Sequence, residues 1–293
     1  MVVAVMRDLF VLLRPKQWTK NLFIFLPLFF SLQFHQLHLL AKAGLAFVFF
    51  CLLASAVYIF NDYHDREEDR RHPRKRARPL AAGRVTPGSA AVGGVLLAAG
   101  GLLGAAYIGL PMLGMSLLYL ALNIAYTLKL KHVALLDVFV IAIGFVIRII
   151  VGGVATGGRI YPWIIVMTFL LALFLAMGKR RDDVRLSLSS GEPSRRSVGG
   201  YTVDFIDGSM VALAAVTIVS YIMYTMSPEI AAKFGTGHLY LTTVFVILGI
   251  LRYLQLIVVE QQSADPVEIL WKDPFLQVSL IGWITMFGLL IYL

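Results

Sequence analysis

Nine apolar stretches, at about 21–39, 43–60, 88–108, 111–128, 133–154, 161–178, 208–226, 239–258 and 275–293, succeed one another along a chain of 293 residues. Most approach the roughly 20 residues that a helix needs to cross the hydrocarbon core of a bilayer. In hydrocarbon every backbone N–H and C=O must find its partner inside the protein, which leaves helices and closed barrels as spanning structures. A barrel would show short segments of alternating polarity, whereas these runs are continuously apolar. The pattern therefore predicts an all-α integral membrane protein of about nine spans. Pro27 interrupts the first. Composition agrees: 59% of residues are apolar, 15% are charged, and the mean hydropathy is +0.80.

The basic residues predict an orientation. Of 26 lysines and arginines, 21 fall in segments 1–20, 61–87, 129–132, 179–207 and 259–274. The alternate loops hold only Lys42, Arg159 and Lys233, while Arg148 and Arg252 lie within predicted spans. Under the positive-inside rule this puts the amino terminus and the longest polar segments, 61–87 and 179–207, on the cytoplasmic side. The net charge of +9 then belongs to one face, suited to anionic lipid or phosphorylated substrates. No separate basic domain is present for nucleic acid, and no soluble domain or linker divides residues 1–293. Cys51 is the single cysteine, so no disulfide framework or thiolate metal site exists. Residues 1–13 read as an amphipathic surface helix, because Arg7 and Asp8 interrupt the apolar residues.

Chemistry concentrates in residues 61–80. Asp62, Asp65 and Asp69 are spaced i, i+3 and i+7, which a continuous helix would stack on one face. Arg70, Arg71, Arg74, Lys75, Arg76 and Arg78 follow. Carboxylates at a membrane boundary suit a hard divalent cation such as Mg²⁺, which shares its shell with substrate phosphates. The cations behind them suit the remaining phosphate charge. A solvated charged loop is the bland alternative, and the segregation of acids from bases argues against it. A second polar segment carries Gly178, Lys179, Arg180, Arg181, Asp182, Asp183 and Arg185, then Arg195, Arg196 and Tyr201. Lys179, Arg180 and the Asp182/Asp183 pair read as functional, Arg181 and Arg185 equally well as headgroup contacts. Arg14, Lys16, Lys20 and Asn21 make a third patch. Asp137 and Arg148 lie about three turns apart in the fifth predicted span, nearly on one face. Such intramembrane charges normally face a partner or a cavity. His64, His72 and His132 have no metal-ligand spacing.

Asn61-Asp62-x-x-Asp65-x-x-x-Asp69 at the end of a second span resembles the first aspartate-rich motif of the UbiA superfamily of intramembrane prenyltransferases. The extension through His72-Pro73, Lys75, Arg78-Pro79 and Ala81-Ala82-Gly83 is similar to its decaprenyl-phosphate phosphoribosyltransferase branch. Further matches to that branch are the run from Arg14 to Asn21, Leu130-Lys131-His132 with Asp137, Ile147-Arg148 with Gly152-Gly153, and Gly178-Lys179-Arg180. Tyr201-Thr202 and Leu251-Arg252-Tyr253 extend them. The resemblance implies a nine-helix bundle around a membrane-open cavity capped by cytoplasmic loops, in a bacterial cytoplasmic membrane. It implies transfer of a 5-phosphoribosyl group from phosphoribosyl diphosphate to a polyprenyl phosphate, serving cell-envelope pentose supply. Asp62 and Asp65 would be catalytic, holding Mg²⁺ with Asn61 and Asp69. Lys75, Arg78, Lys179 and Arg180 would bind donor phosphates, and Lys16, Lys20, Asn21, Tyr126, Lys131, Arg148, Asp182, Asp183 and Tyr201 complete the substrate-binding set. A homo-oligomer is left open.

Two departures bear on the substrate. Aromatic prenyltransferases of the superfamily carry a second Asp-x-x-x-Asp motif after the sixth helix. Here Asp182 meets Leu186, Asp183 meets Ser187 and Glu192 meets Arg196 at that spacing. This counts against the alternative reading, prenyl transfer from a prenyl diphosphate to an aromatic acceptor. Arg181, Asp182 and Asp183 stand where the phosphoribosyl branch tends to have an aromatic residue and a glutamate. A transporter, the third reading, would show polar interruptions at mid-membrane, whereas the charges gather at one face.

Overall fold

The computed structural model describes residues 2–71, 75–190, 196–262 and 265–292. Eight helices among them are long and apolar enough to cross a membrane: Leu37–His64, Pro87–Ile108, Leu110–Leu128, Leu136–Thr156, Pro162–Ser189, Val203–Met226, Leu239–Val259 and Pro274–Tyr292. No strand occurs among the described residues. The all-α membrane architecture stands, with eight such helices rather than nine.

The missing one is the first predicted stretch. Residues 21–39 are divided among a 3₁₀ helix (Pro15–Phe25), a five-residue α-helix (Leu26–Phe30), turns, and the start of the Leu37–His64 helix. Pro27 supplies no backbone N–H, Leu32 takes a left-handed φ of 60°, and polar Gln33, His35 and Gln36 follow. A second difference concerns residues 179–207. Instead of forming a cap loop throughout, the helix that begins at Pro162 runs on to Ser190, and a 3₁₀ turn spans Arg196–Gly200. His72, Pro73, Arg74 and Arg195, all noted in the sequence, lie outside the described residues.

Two compact units make up the chain. The first holds Met1–Lys131 and Gly144–Ile160, the second His132–Ile143 and Tyr161–Leu293, so the Leu136–Thr156 helix contributes to both. In the first unit the Leu37–His64 helix packs along Pro87–Ile108. Gly104 permits the approach, since a Cβ there would fall 2.2 Å from the Phe49 ring. Ile24, Phe50, Leu53, Met112, Tyr119, Ile147 and Val151 form its core. A smaller cluster joins Leu12, Ile59, Leu80, Val85 and Ala90, tying the Val2–Leu12 helix and the segment after Arg78 to the polar end of Leu37–His64. In the second unit, polar bonds bind three apolar helices: Trp283 Nε1 donates to the Tyr221 hydroxyl (2.6 Å), which pairs with Thr242 Oγ1 (2.7 Å). Where hydrocarbon excludes water, such groups must satisfy one another.

Candidate functional site

In the first unit, the Leu37–His64 helix ends where the acids begin. Asp65 caps it with ψ near 7°, and its carbonyl accepts the Asp69 N–H at 2.8 Å as the Arg66–Arg71 helix starts. This break separates the three carboxylates that a continuous helix would stack. Asp62 and Asp69 are buried and share one cation: Arg78 Nη1 lies 3.0 Å from Asp62 Oδ1 and 2.6 Å from Asp69 Oδ2. Arg14 Nη2 reaches Asp62 Oδ1 at 2.5 Å. Asp65 instead receives the ammonium of Lys131, which is itself buried. Asn61 Oδ1 accepts from Thr127 Oγ1 at 2.8 Å.

Local sequence explains the delivery of Arg78 and Arg14. Leu80 and Val85 sink into the small core, and Arg70 Nε bonds the Ala81 carbonyl (3.1 Å), which folds the segment back so that Arg78 faces the acids. Arg14 follows the Val2–Leu12 helix in a left-handed conformation (φ 51°, ψ 57°) and stacks over the Tyr58 ring. Beyond it the 3₁₀ segment is pinned at three points. Trp18 Nε1 donates to Ser55 Oγ (3.0 Å), Asn21 Oδ1 accepts from Arg148 Nε (2.8 Å), and Ile24 lies against Gly152. Arg148 is 5% exposed. Its guanidinium also donates to the Gly144 carbonyl and the Tyr119 hydroxyl, and it lies among the Phe50, Tyr119 and Phe145 rings. Its partners are Asn21, Gly144 and Tyr119, the polar company that an intramembrane charge requires.

In the second unit, Asp137 is fully buried. Its Oδ1 accepts from the Tyr201 hydroxyl (2.6 Å), and its Oδ2 lies 2.8 Å from Arg180 Nε. Arg180, only 1% exposed, also pairs with Asp183. Two carboxylates thus neutralise a cation that the sequence assigned to donor phosphates. Burial, and next the bond to Asp137, raise the Tyr201 phenol above its ordinary pKa. Arg181 grips both oxygens of Asp207 (2.5 and 3.0 Å) and donates to the Ile257 carbonyl in the π-helical turn Gln255–Val259. It is a buried structural tie, not a headgroup contact. Lys179 stays accessible, its Nζ 3.3 Å from Asp265 Oδ2.

The model of the UbiA prenyltransferase family matches residues 22–272. The chain belongs to the UbiA prenyltransferase family. Among its relatives, the decaprenyl-phosphate phosphoribosyltransferase of Mycolicibacterium smegmatis is 33% identical over 289 residues, covering 95% of this chain and 91% of that one. The protein of the same name from Mycobacterium tuberculosis is 31% identical over 280 residues, covering 94% and 91%. A solved UbiA homologue from Archaeoglobus fulgidus, bound to GPP and Mg²⁺, superposes with a TM-score of 0.69 at 20% identity over 96% of this chain and 98% of that one. That last likeness is one of fold. The chain is a multi-pass membrane transferase of this family.

For a UbiA member, the arrangement of the acids bears on metal binding. Among the described residues no three Asp, Glu, His or Cys side chains already converge as a metal cage. Yet Asp62 and Asp69 turn oxygens toward one Arg78 nitrogen, so both carboxylates can face a single positive centre. Mg²⁺ typically takes one or two carboxylates and completes its shell with water and phosphate oxygen, and this hard-oxygen set fits it.

Of the other residues singled out in the sequence, Lys16 is exposed, Lys20, Lys75, Tyr126 and Asp182 are half-buried, and Asn21 is buried as the partner of Arg148 and Cys51. The aspartate partners of Arg14 and Lys131 are not legible in the sequence. The one available signal was that Arg14 opens a basic run just before an apolar stretch.

Proposed function

We propose that this UbiA-family transferase moves the 5-phosphoribosyl group of phosphoribosyl diphosphate onto a polyprenyl phosphate, releasing diphosphate, with residues 1–293 acting as one transferase domain. The observation that carries the reading is the set of three aspartates matched by Arg14, Arg78 and Lys131, brought from three separate segments. The names of relatives that match along nearly the whole chain support the donor and acceptor classes. The charge bias of the loops supports a cytoplasmic position for the site, and the bacterial sources of the relatives support a bacterial inner membrane.

Asp62, Asp69 and Asp65, with Asn61, are the residues to hold Mg²⁺. Bound there, the ion supplies charge stabilisation to the departing diphosphate. Arg14, Arg78, Lys75 and Lys131 supply further positive charge to the phosphates, the preorganised electrostatics that cleavage of an anomeric C–O bond requires. Lys16, Lys20 and Lys179 serve as outer phosphate contacts. Arg180 shapes its surroundings through Asp137 and Asp183. The acceptor phosphate is anionic at neutral pH and needs no general base. Its attack opposite the departing diphosphate inverts C1, and a product that kept the donor's anomeric configuration would contradict this.

Purified protein in detergent, given Mg²⁺, polyprenyl phosphate and labelled phosphoribosyl diphosphate, is expected to form a lipid-linked phosphoribose only when Mg²⁺ is present. Absence of that product, with turnover instead of a prenyl diphosphate and an aromatic acceptor, would overturn the reading.

A further inference from the structure

The carboxylates of Asp62, Asp65 and Asp69 and the cations of Arg14, Arg78 and Lys131 balance one another, so the cluster carries no net charge. The oxygens a divalent cation needs are those the cations hold. Arg78 Nη1 occupies the point facing both Asp62 and Asp69, and Arg14 takes Asp62 from another side. Asp62 and Asp69 side chains are 3% and 4% exposed, so water competes little for these contacts. A divalent cation arriving alone would displace Arg14 and Arg78, whose side chains are 25% and 29% exposed, and bring no anion in exchange, leaving two positive charges without the carboxylates that compensated them. A diphosphate arriving alone would face three carboxylates. Arriving together they nearly balance, and each displaced cation finds a phosphate oxygen, the anion to which arginine's fork is best fitted.

We infer that Arg14, Arg78 and Lys131 are exchangeable counter-ions, which hold the aspartates in the ligand-free enzyme and pass to phosphate oxygens when a diphosphate enters with its metal. The inference rests on the proposed diphosphate donor. It adds a sequence of events: free divalent cation is excluded, and metal and diphosphate bind as a coupled pair. It also gives Arg14 a role. A non-glycine residue held at φ 51° is strained, and the pinned 3₁₀ segment after it delivers the guanidinium to Asp62 in spite of that cost.

The test follows the thermal midpoint of the full chain in detergent, with inorganic diphosphate as the probe. Millimolar Mg²⁺ alone is expected to leave the unaltered protein unmoved, and Mg²⁺ with diphosphate to raise its midpoint. Arg78→Met is expected to gain a response to Mg²⁺ alone, with affinity tighter by on the order of ten-fold, and to lose part of its response to the mixture. Arg14→Met should do the same to a smaller degree and serves if Arg78→Met fails to fold, while Arg78→Lys, which keeps the charge, should stay unmoved by Mg²⁺ alone. A response of the unaltered protein to Mg²⁺ alone that equals its response to the mixture overturns counter-ion exchange and leaves the diphosphate site standing. So does a folded methionine variant that ignores Mg²⁺ alone. No response of any protein to the mixture removes the diphosphate site itself, and the inference with it.

Discussion

The Tyr201 hydroxyl donates to Asp137 Oδ1 at 2.6 Å while accepting the Leu135 N–H at 2.7 Å, so one phenol closes the turn after Arg196–Gly200 onto the start of the Leu136–Thr156 helix. Tyr201→Phe leaves a buried carboxylate oxygen and a backbone N–H without these partners, a loss of about 1–3 kcal/mol. A lower thermal midpoint in detergent with the donor KM retained is the expected result. A collapse of donor affinity at unchanged stability would instead make Tyr201 a substrate contact.

The same phenol has a defined pH window. Its folded pKa is raised, by burial first and by Asp137 second, while the unfolded chain titrates near about 10. Its contribution is therefore complete below about pH 10 and is lost as pH rises further. The stability difference between the unaltered protein and Tyr201→Phe should stay constant from about pH 7 to 9 and shrink above about 10.

Asp65→Asn should abolish turnover and leave the protein folded and inserted. One charge is lost from a partly accessible carboxylate, and the Lys131 ammonium keeps an amide oxygen to meet. Near-normal activity in the phosphoribosyl transfer assay would remove Asp65 from the metal site.

Asp273 titrates in the opposite sense from Tyr201. Its hydrogen bond from Arg252, before any other influence, lowers its pKa. The stabilisation is present above the ordinary carboxylate value and disappears as pH falls through the lower folded one. Melting curves of Asp273→Asn and the unaltered protein should differ by a constant amount from about pH 7 to 5 and converge below about 4.

How far the sequence reveals this arrangement depends on the range of each interaction. Eight spans are legible because nearly continuous apolarity over roughly 20 residues has few other meanings. Residues 21–39 mislead because their apolar side chains serve a broken 3₁₀ segment. What stabilises that segment is Ser55, Arg148 and Gly152, the nearest of them 37 positions from Trp18. The acids of the site are legible from their clustering, but their geometry is not. The helix ends at Asp65, and Arg14 reaches Asp62 across 48 positions. Arg180 looks like an open phosphate ligand until the fold presents Asp137 to it. Asp137 and Arg148 stand out in the sequence as intramembrane charges that need partners, but the partners themselves, Arg180 and Asn21, lie 43 and 127 positions away.

Gly152→Ala should be among the most damaging single substitutions in the first unit. A Cβ at this position would fall 2.0 Å from the Ile24 carbonyl oxygen and 2.8 Å from its carbon. Both sides of that contact are backbone, so neither yields as a flexible side chain would. The 3₁₀ segment must move away, weakening the Asn21–Arg148 bond (2.8 Å) and, at the far end of the segment, the approach of Arg14 to Asp62. Overpacking of this kind typically costs about 1–3 kcal/mol, and more where backbone must shift. Gly144→Ala on the same helix is the control, because its Cβ would meet only Arg148 Nη1, at 3.5 Å, an ordinary contact. The expected result is a large fall in thermal midpoint and in the response to Mg²⁺ with diphosphate for Gly152→Ala, and little change in either for Gly144→Ala. Equal behaviour of the two variants would show that the close approach of Ile24 does not hold the segment in place.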